Sequence, residues 1–572
     1  MYIDKVPNRN SKPTYLLREA KREGKKIIKK TIANLSDWSL DKVEQLKAIL
    51  KGENLISPKN DFKIIKSRPY GHIAAVLGTI RNIGLESIIA SKRTRERDII
   101  TALIVERLVH PASKLATSRI LQDSALFEDL NLKDVSTTKI YTALDWLHDR
   151  QELIENKLAK KHLTEGGMAL YDVSSSYYEG TKCPLAKLGH DRDRKGNHKI
   201  IVYGVMTNKE GIPITVSVYP GNTGDPKTVP DQAKKLKDRF GIERIILAGD
   251  RGMLTDVQID YLKTLPGLGW ISALRSSAIS KLVDSGAFQL SLFDQQNLAE
   301  ITSPLFPGER LMVCFNPLLS DERTRKRGEL LKATEKILGK IGAEVKRRKK
   351  KLLNKKEIAL KVGRSVNKYK MAKHFKLTIE DNHFFFERKT ESIEREQKLD
   401  GIYVIRTNES KEKLSAEDVV RGYKSLTNVE RLFRSLKGID LLVRPIFHHL
   451  EERVCGHIFL CVLAYYVEWH MRKSLAPILY QDEELEKLSM TRNPVVPAKP
   501  SDSVKNKKKM HRTTDGLTVH SFDTLLDNLS HVVRNYCDFQ IGDQSVVYVK
   551  HTVPDNLQAK AFELLGIVYP VS

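Results

Sequence analysis

Residues 168–180 read MALYDVSSSYYEG, and the rest of the chain is interpreted outward from this stretch. The small and apolar run at its start predicts a buried strand that ends in the carboxylate of Asp172. An acid at a strand end commonly caps the following turn, and the serines after it are ordinary turn-forming residues. The local sequence alone therefore does not separate a structural acid from a functional one.

The stretches after Asp172 have the patterning of a mixed α/β domain. They predict further strands with short connections, followed by alternating helix and strand. The predicted strands are HKIIVYGVMTN (198–208), IPITVSVYP (212–220) and RIILAGD (244–250), and the predicted helices are TVPDQAKKLKDRFG (228–241) and TDVQIDYLKTL (255–265). We therefore expect a mixed sheet whose parallel part is covered by helices.

Changes in sequence character divide the chain into five regions. We expect a helical, basic, DNA-binding N-terminal region, a core domain in two parts, a β-rich insertion between them, and a linker with a C-terminal region. The N-terminal region spans residues 1–165, and the core comprises residues 166–275 and 401–475. The insertion spans residues 276–400, and the linker and C-terminal region span residues 476–572. The insertion is expected to hold one long basic helix over 321–362 and a β-hairpin that turns at Asp381 and Asn382.

Composition indicates a polyanionic partner inside the cell. Lys and Arg number 97 against 71 Asp and Glu, which gives a formal charge of +26. Such an excess favours nucleic acid as the partner. The five cysteines are scattered without a CxxC pair, which fits a reducing cytosol and signals neither a disulfide framework nor a zinc site. The longest apolar run, 454–467, contains His457 and is too short to span a membrane, so it predicts a buried helix.

Two further acids follow the pattern set by Asp172. Asp250 ends the predicted strand RIILAGD, as Asp172 ends MALYDV. Glu430 lies in YKSLTNVERLFRSLK, where a single helix would place Tyr423, Leu426, Glu430, Phe433 and Lys437 on one face. A charge on that apolar stripe needs compensation, either from Arg434 one turn away or from a bound cation.

A divalent cation accounts for all three acids together. Mg²⁺ prefers carboxylate oxygens, and a pair of such ions can stabilise the attacking and leaving oxygens of a phosphodiester displacement. Rigid strands would fix that geometry before a substrate arrives. The three acids therefore predict metal-dependent phosphodiester chemistry.

At these residues the chain resembles the DDE transposases of bacterial insertion sequences. The resemblance is to the group whose third acid lies in a Tyr-x2-Arg-x3-Glu-x6-Lys motif, which Tyr423, Glu430 and Lys437 match while Leu426 replaces the Arg. The segments GNTGD (221–225), DGIYVIRTN (400–408) and 429–467 also look like the family, so that the resemblance covers most of residues 165–475.

The resemblance implies a ribonuclease H-like core and an insertion between the second and third acids. It implies that Asp172, Asp250 and Glu430 are catalytic metal ligands for two Mg²⁺ ions, with Mn²⁺ as a substitute, and that Tyr423 and Lys437 contact DNA phosphates. Arg434 is a third DNA-binding candidate because it lies one turn from Glu430. The implied function is cleavage of double-stranded DNA at element ends and transfer of the 3′-hydroxyl to target DNA, by a homodimer in the cytosol of a bacterium.

Several alternatives remain open at this stage. The chain could instead be a ribonuclease H-like host nuclease, a non-enzymatic DNA-binding protein, or a transposase-derived protein that binds DNA without cutting it. GNTGDPKT imitates a phosphate-binding loop, but Pro226 removes a backbone N–H that such a loop needs. The loop GHDRDRKGNH (189–198) could bind metal, but a solvated turn or a DNA-facing basic loop is the stronger interpretation.

Overall fold

The computed structural model describes residues 1–8, 12–52, 62–286, 293, 297–350, 352–438, 440–541 and 544–569. They fall into two units. One comprises residues 1–70, 531–553 and 570–572, and the other comprises residues 71–530 and 554–569.

The strands, in chain order, are β1 Tyr2–Val6, β2 Thr14–Glu23, β3 Lys26–Asn34, β4 Phe62–Pro69, β5 Met168–Tyr177, β6 Ile200–Asn208, β7 Pro213–Pro220, β8 Ile245–Gly249, β9 Leu268–Ala273, β10 Leu298–Ile301, β11 Arg310–Phe315, β12 Phe375–Glu380, β13 His383–Arg388, β14 Ile402–Thr407, β15 Val533–Ile541 and β16 Gln544–His551.

The α-helices are α1 Leu40–Leu50, α2 Gly71–Asn82, α3 Leu85–Ile89, α4 Arg95–Val109, α5 Lys114–Asp123, α6 Leu126–Asp129, α7 Thr137–Asp149, α8 Gln151–His162, α9 Val229–Lys234, α10 Asp256–Lys263, α11 Ser276–Asp284, α12 Pro317–Arg347, α13 Lys355–Tyr369, α14 Thr390–Gln397, α15 Ala416–Lys424, α16 Leu426–Lys437, α17 Glu451–Ser474, α18 Leu485–Thr491, α19 Asp502–Met510, α20 Phe522–Ser530 and α21 Asn556–Leu564.

An eight-stranded mixed sheet organises the larger unit, in the order β10-β11-β14-β9-β8-β5-β6-β7. Strands β5, β6 and β7 pair antiparallel, whereas β8 runs parallel to β5 and β9 runs parallel to β8. Three antiparallel strands followed by two parallel ones are the arrangement of a ribonuclease H-like core. The predicted mixed α/β fold is confirmed.

Helices and apolar side chains cover this sheet. One face packs on α9 and α10, with Tyr171, Leu236, Ile259 and Trp270 in the shared core. Helix α17 packs on β7 and on helices α2, α4 and α7. By length and composition α17 could cross a membrane, but most of it is buried inside the protein, as the prediction of a buried helix required.

The insertion departs from the prediction in two respects. Residues 276–400 are richer in helix than in strand, and the long basic helix expected over 321–362 is two helices, α12 and α13. Asn354 begins α13 with a capping box, which is a strong start signal inside the lysine-rich run. The hairpin β12–β13 turns at Asp381 and Asn382 as predicted, and it packs with α12 and α13 around a separate apolar core.

The prediction of a helical region over 1–165 is wrong for residues 1–69. Helices α2 to α8 begin only at Gly71, and the elements among the described residues before it are β1 to β4 and helix α1. The basic run REAKREGKKIIKK is the hairpin β2–β3, in which Glu23 pairs with Lys26 across a two-residue turn. Gly24 opens that turn at φ 62°, as a tight hairpin requires. Charge alone does not distinguish an exposed strand from an exposed helix.

The expected linker within 476–572 is also largely structured. Helix α19 lies inside the Pro- and Lys-containing segment and buries Val504 and Lys507. Lys507 Nζ donates to the carbonyl of Ala476 at 2.8 Å, which explains how a lysine-rich run is held in place. Further on, β15 pairs with both β4 and β16, so the C-terminal region completes the smaller unit.

Candidate active site

Two of the predicted acids lie side by side on neighbouring parallel strands. The register of β5 and β8 ends with Tyr171 opposite Gly249, so Asp172 and Asp250 occupy the next position on each chain. Paired strands lie about 5 Å apart. The turn after β8 is fixed by the N–H groups of Met253 and Leu254, which both donate to the carbonyl of Asp250.

Asp172 is not at the end of its own strand, contrary to the prediction. It is the fifth residue of β5, where it pairs with Val205 of β6. The serines that resembled turn formers continue the strand because β6 pairs with them, and Ser176 bonds to the hydroxyl of Tyr203 at 2.9 Å inside the core. The neighbouring parallel strand β8 ends one residue before the level of Asp172. The carboxylate therefore lies where β5 is no longer paired on that side.

The surroundings of Asp172 disfavour its charged form. The pKa of Asp172 is raised to about 7, mainly by burial and to a smaller extent by the charges of Asp250 and Asp225. The N–H of Val173, which donates to Oδ1 at 2.7 Å, and the guanidinium of Arg192 act in the opposite direction. A cation shared with Asp250 would relieve the desolvated charge of Asp172.

Tyr423 links the third acid to this pair. The pKa of Tyr423 is raised to about 12, and burial is the main cause. The charges of Asp250, Glu430 and Asp172 contribute to the increase, whereas Arg251 opposes it. One hydroxyl therefore lies within electrostatic range of all three predicted acids. Helix α15 packs on β8 and β9 and α16 packs on β5, so the helices of Tyr423 and Glu430 both lie against the strands that carry the acid pair.

The expected single helix around Glu430 is broken. Ser425 separates α15, which carries Tyr423, from α16, which carries Glu430. The buried face of α16 consists of Val429, Leu432, Phe433, Ser435 and Leu436, whereas Glu430 and Arg434 are exposed and Leu426 is half-buried. The inference that Glu430 lies on the apolar stripe and needs compensation there is wrong, because Glu430 lies outside the buried face of α16 and is exposed to solvent. Within the part of the chain that the structure describes, Glu430 forms no ion pair with Arg434.

Close packing fixes both helices on the sheet. A Cβ on Gly422 of α15 would lie 2.5 Å from Met168 Cε, so glycine permits the helix to approach β5. On α16, the Asn428 amide donates to the carbonyl of Lys209 at 2.9 Å, and the Ser435 hydroxyl donates to Glu468 at 2.5 Å. Glu430 is therefore carried by a helix that is anchored at both ends.

Lys437, the last residue of α16, donates to Oδ1 of Asp193 at 3.1 Å. Burial lowers the pKa of Lys437, and the charge of Asp193 opposes that decrease. Asp193 belongs to the loop 189–198, which the sequence suggested as a solvated turn or a basic DNA-facing loop. The side chain of Asp193 is 2% exposed, so this acid is a buried partner of cations and is not solvated.

The donor set fits a hard divalent cation in part. Asp172 and Asp250 offer carboxylate oxygens on adjacent strands, where a cation would offset their repulsion. Among the described residues, however, no group of three His, Cys, Asp or Glu side chains is close enough to hold a metal ion. In this structure Glu430 is not grouped with Asp172 and Asp250 as a third ligand.

Comparison with known proteins identifies two matching family models. The model described as "Transposase DDE domain" matches residues 172–467, more than half of the chain, and it begins at Asp172 and spans Asp250 and Glu430. The model described as "IS1634 family transposase, N-terminal domain" matches residues 3–60. No curated protein matches. One solved structure, the cryo-EM structure of the piggyBac transposase synaptic complex with hairpin DNA, is similar over 80% of this chain and 76% of that chain, at 11% identity and a TM-score of 0.33.

Proposed function

The chain belongs to the transposase DDE domain family, and from this we propose that Asp172, Asp250 and Glu430 are its three catalytic acids. Members of the family are insertion-sequence transposases that cleave DNA and transfer the cut strand, using divalent metal ions. The observation that carries the residue assignment is the register of β5 and β8, which places Asp172 beside Asp250. The packing of α16 on β5 supports the inclusion of Glu430, and the charges of all three acids raise the pKa of Tyr423.

Each residue has a role that follows from its position. Asp172 and Asp250 would hold the cations on the rigid sheet, and Glu430 on α16 would supply the third carboxylate. Two Mg²⁺ ions, replaceable by Mn²⁺, would activate the attacking water or 3′-hydroxyl and stabilise the leaving oxygen. Tyr423, Arg434 and Lys437 bind phosphates of the element end. Arg434 is exposed on α16, one turn after Glu430, and is available for that contact.

We further propose that residues 1–165 recognise the element ends and that two copies of the chain act together on paired ends, in the cytosol. The hairpin β2–β3 supports the first part, because residues 19–32 are exposed and include Lys21, Arg22, Lys25, Lys26, Lys29 and Lys30. A two-stranded ribbon has the dimensions to enter the major groove of DNA.

The test of the catalytic assignment is nicking of element-end duplex by Asp172→Asn, Asp250→Asn and Glu430→Gln in Mg²⁺. Each amide preserves the shape of the side chain and removes its charge, so we expect cleavage to be lost while end binding in a gel shift is retained. Asp260→Asn is the matched control, because Asp260 is an exposed acid on α10. A wild-type protein that binds ends but does not nick them would instead identify an inactive transposase derivative.

A further inference from the structure

The loop 189–198 is fixed against the second half of β5. Asp191 closes the loop by accepting from the N–H groups of Asp193 at 2.8 Å and Gly196 at 3.0 Å. The N–H of Tyr177, the last residue of β5, donates to Oδ2 of Asp193 at 3.1 Å. The loop is therefore a built feature beside the strand that carries Asp172.

Asp193 forms ion pairs with two cationic side chains that are distant from it in the sequence. Lys437 and Arg444 both bond to its Oδ1. Arg444 also donates from Nε to the carbonyl of Lys437 at 3.1 Å, so it ties the end of α16 to the segment that follows. The side chain of Arg444 remains 30% exposed. One buried carboxylate thus holds a lysine and an arginine in fixed positions while part of the arginine faces solvent.

Arg192, the residue before Asp193, is oriented by a second acid. Its Nη2 donates to both carboxylate oxygens of Asp225, at 2.6 and 2.5 Å. The Ser175 hydroxyl, three residues after Asp172 on β5, donates to the carbonyl of His190 at 3.4 Å, so the loop that carries Arg192 lies along the strand of the catalytic carboxylate. Within the described parts of the chain, Nε and Nη1 of Arg192 donate no hydrogen bond. A guanidinium held at one nitrogen can still bind phosphate through the others.

The charges of this group favour an anion. Arg192, Arg444 and Lys437 carry three positive charges, and Asp193 and Asp225 carry two negative ones, which leaves a net charge of +1 next to the acid pair. Lys437 and Arg444 share Oδ1 of Asp193, and Arg192 is the residue before Asp193, so the group is compact. When one phosphodiester of a DNA strand reacts at Asp172 and Asp250, the adjacent phosphates of that strand lie near this cationic group.

We propose that Arg192 and Arg444 form a DNA-phosphate subsite beside the catalytic acids, with Asp225 and Asp193 as the positioning residues that orient them. The subsite rests on the proposed function, because it assigns the DNA of the cleavage reaction as its ligand. It extends the phosphate contacts beyond α16 to the loop 189–198 and to the segment after α16. The ion pairs with Asp225 and Asp193 orient the guanidinium groups before DNA binds.

The test replaces single phosphates of the element-end duplex by neutral methylphosphonates and measures cleavage by the wild-type protein and by Arg192→Gln. At one position near the cut we expect the methylphosphonate to lower the cleavage rate of the wild-type protein about tenfold or more. Arg192→Gln should cleave unmodified DNA more slowly than the wild-type protein by a similar factor, and the methylphosphonate at that position should not lower its rate further. Arg194→Gln is the matched control, since Arg194 is an exposed arginine of the same loop. It should keep the wild-type response at every phosphate.

Equal relative decreases in the wild-type protein and Arg192→Gln at every phosphate would overturn the subsite. Arg192→Lys guards against a folding defect, because it keeps the charge but loses the planar guanidinium and the nitrogens left free by the bond to Asp225. We expect it to show a reduced response at the same phosphate with an unchanged unfolding temperature. If Arg192→Gln cleaves normally while Asp172→Asn is inactive, the subsite fails and the catalytic assignment stands. If Asp172→Asn also cleaves, the catalytic assignment fails.

Discussion

Asp172 and Asp250 occupy equivalent positions on the parallel strands β5 and β8, one residue beyond the last register pair, Tyr171 with Gly249. The sheet therefore holds two like charges together, at a cost that a bound cation offsets. Burial is the main cause of the raised pKa of Asp172, and the charge of Asp250 adds to it.

The pH dependence of stability follows from that raised pKa. In the metal-free protein, Asp172 binds a proton up to about pH 7 in the folded state, but only up to about pH 4 when unfolded. The folded state binds more protons between these values, so its stability falls as pH rises from about 4 to 7 and the loss is complete above that window. Asp172→Asn should therefore raise the unfolding temperature of the metal-free protein at pH 8 and leave it nearly unchanged at pH 4. Thermal unfolding at the two pH values measures this, and equal effects would contradict it.

Loss of Asp193 should destabilise the protein. Its buried carboxylate is bonded to Lys437, Arg444 and the N–H of Tyr177, so Asp193→Asn leaves two cations partly uncompensated. We expect the free energy of unfolding to fall by about 3 kcal/mol. Urea unfolding provides the measurement, with Arg194→Gln as the loop control. A change below about 0.5 kcal/mol would show that the two cations are solvated without Asp193.

Gly204 should not tolerate a side chain. Gly204 lies on β6 and pairs with Val173 of β5. A Cβ on Gly204 would lie 2.1 Å from the hydroxyl oxygen of the buried Tyr171. Gly204→Ala should therefore cost about 1 to 3 kcal/mol of stability and disturb the strand next to Asp172. Gly363→Ala on α13 is the control, because no atom lies within 4 Å of its Cβ position. That change should stabilise by about 0.5 to 1 kcal/mol. Equal effects of the two changes in urea unfolding would contradict this packing.

The hairpin β2–β3 should contribute to the salt dependence of DNA binding. Replacing Lys25, Lys26, Lys29 and Lys30 by Gln removes exposed cations only, so the fold should persist. If these lysines bind phosphates, the slope of log K against log salt should become shallower by about 0.9 for each phosphate that the variant no longer neutralises. Fluorescence anisotropy with element-end duplex from low to moderate salt measures the slope. An unchanged slope would contradict a role of the hairpin β2–β3 in recognition of the element ends.

Sequence patterning predicted the catalytic sheet well and the outer parts less well. Strands β6 to β8 are buried and apolar, and they end close to the predicted bounds because period and burial agree there, whereas β5 continues five residues past Asp172. The hairpin β2–β3 was predicted as helix because its exposed, charged residues carry no period that separates the two structures. The break at Ser425 was missed since both halves are amphipathic helices.

Long-range pairing explains what the sequence did not reveal about the site. The loop 189–198 and the segment GNTGD were both noticed as motifs, yet the ion pair between Arg192 and Asp225 depends on how β6 and β7 bring them together. The same holds for Asp193 and Lys437, which are 244 residues apart. Spacing within one helix or strand can be read from sequence, whereas such contacts require the fold.

The most direct measurement of the central claim is a metal-specificity switch at Asp250, the exposed member of the acid pair. Asp250→Cys replaces a carboxylate, which suits Mg²⁺, by a thiolate, which suits softer ions. We predict that this variant does not cleave element-end duplex in Mg²⁺ and regains cleavage in Mn²⁺ or Cd²⁺, whereas Asp250→Asn is inactive in all three. Cleavage by Asp250→Cys in Mg²⁺ near the wild-type rate would contradict the assignment of Asp250 as a metal ligand.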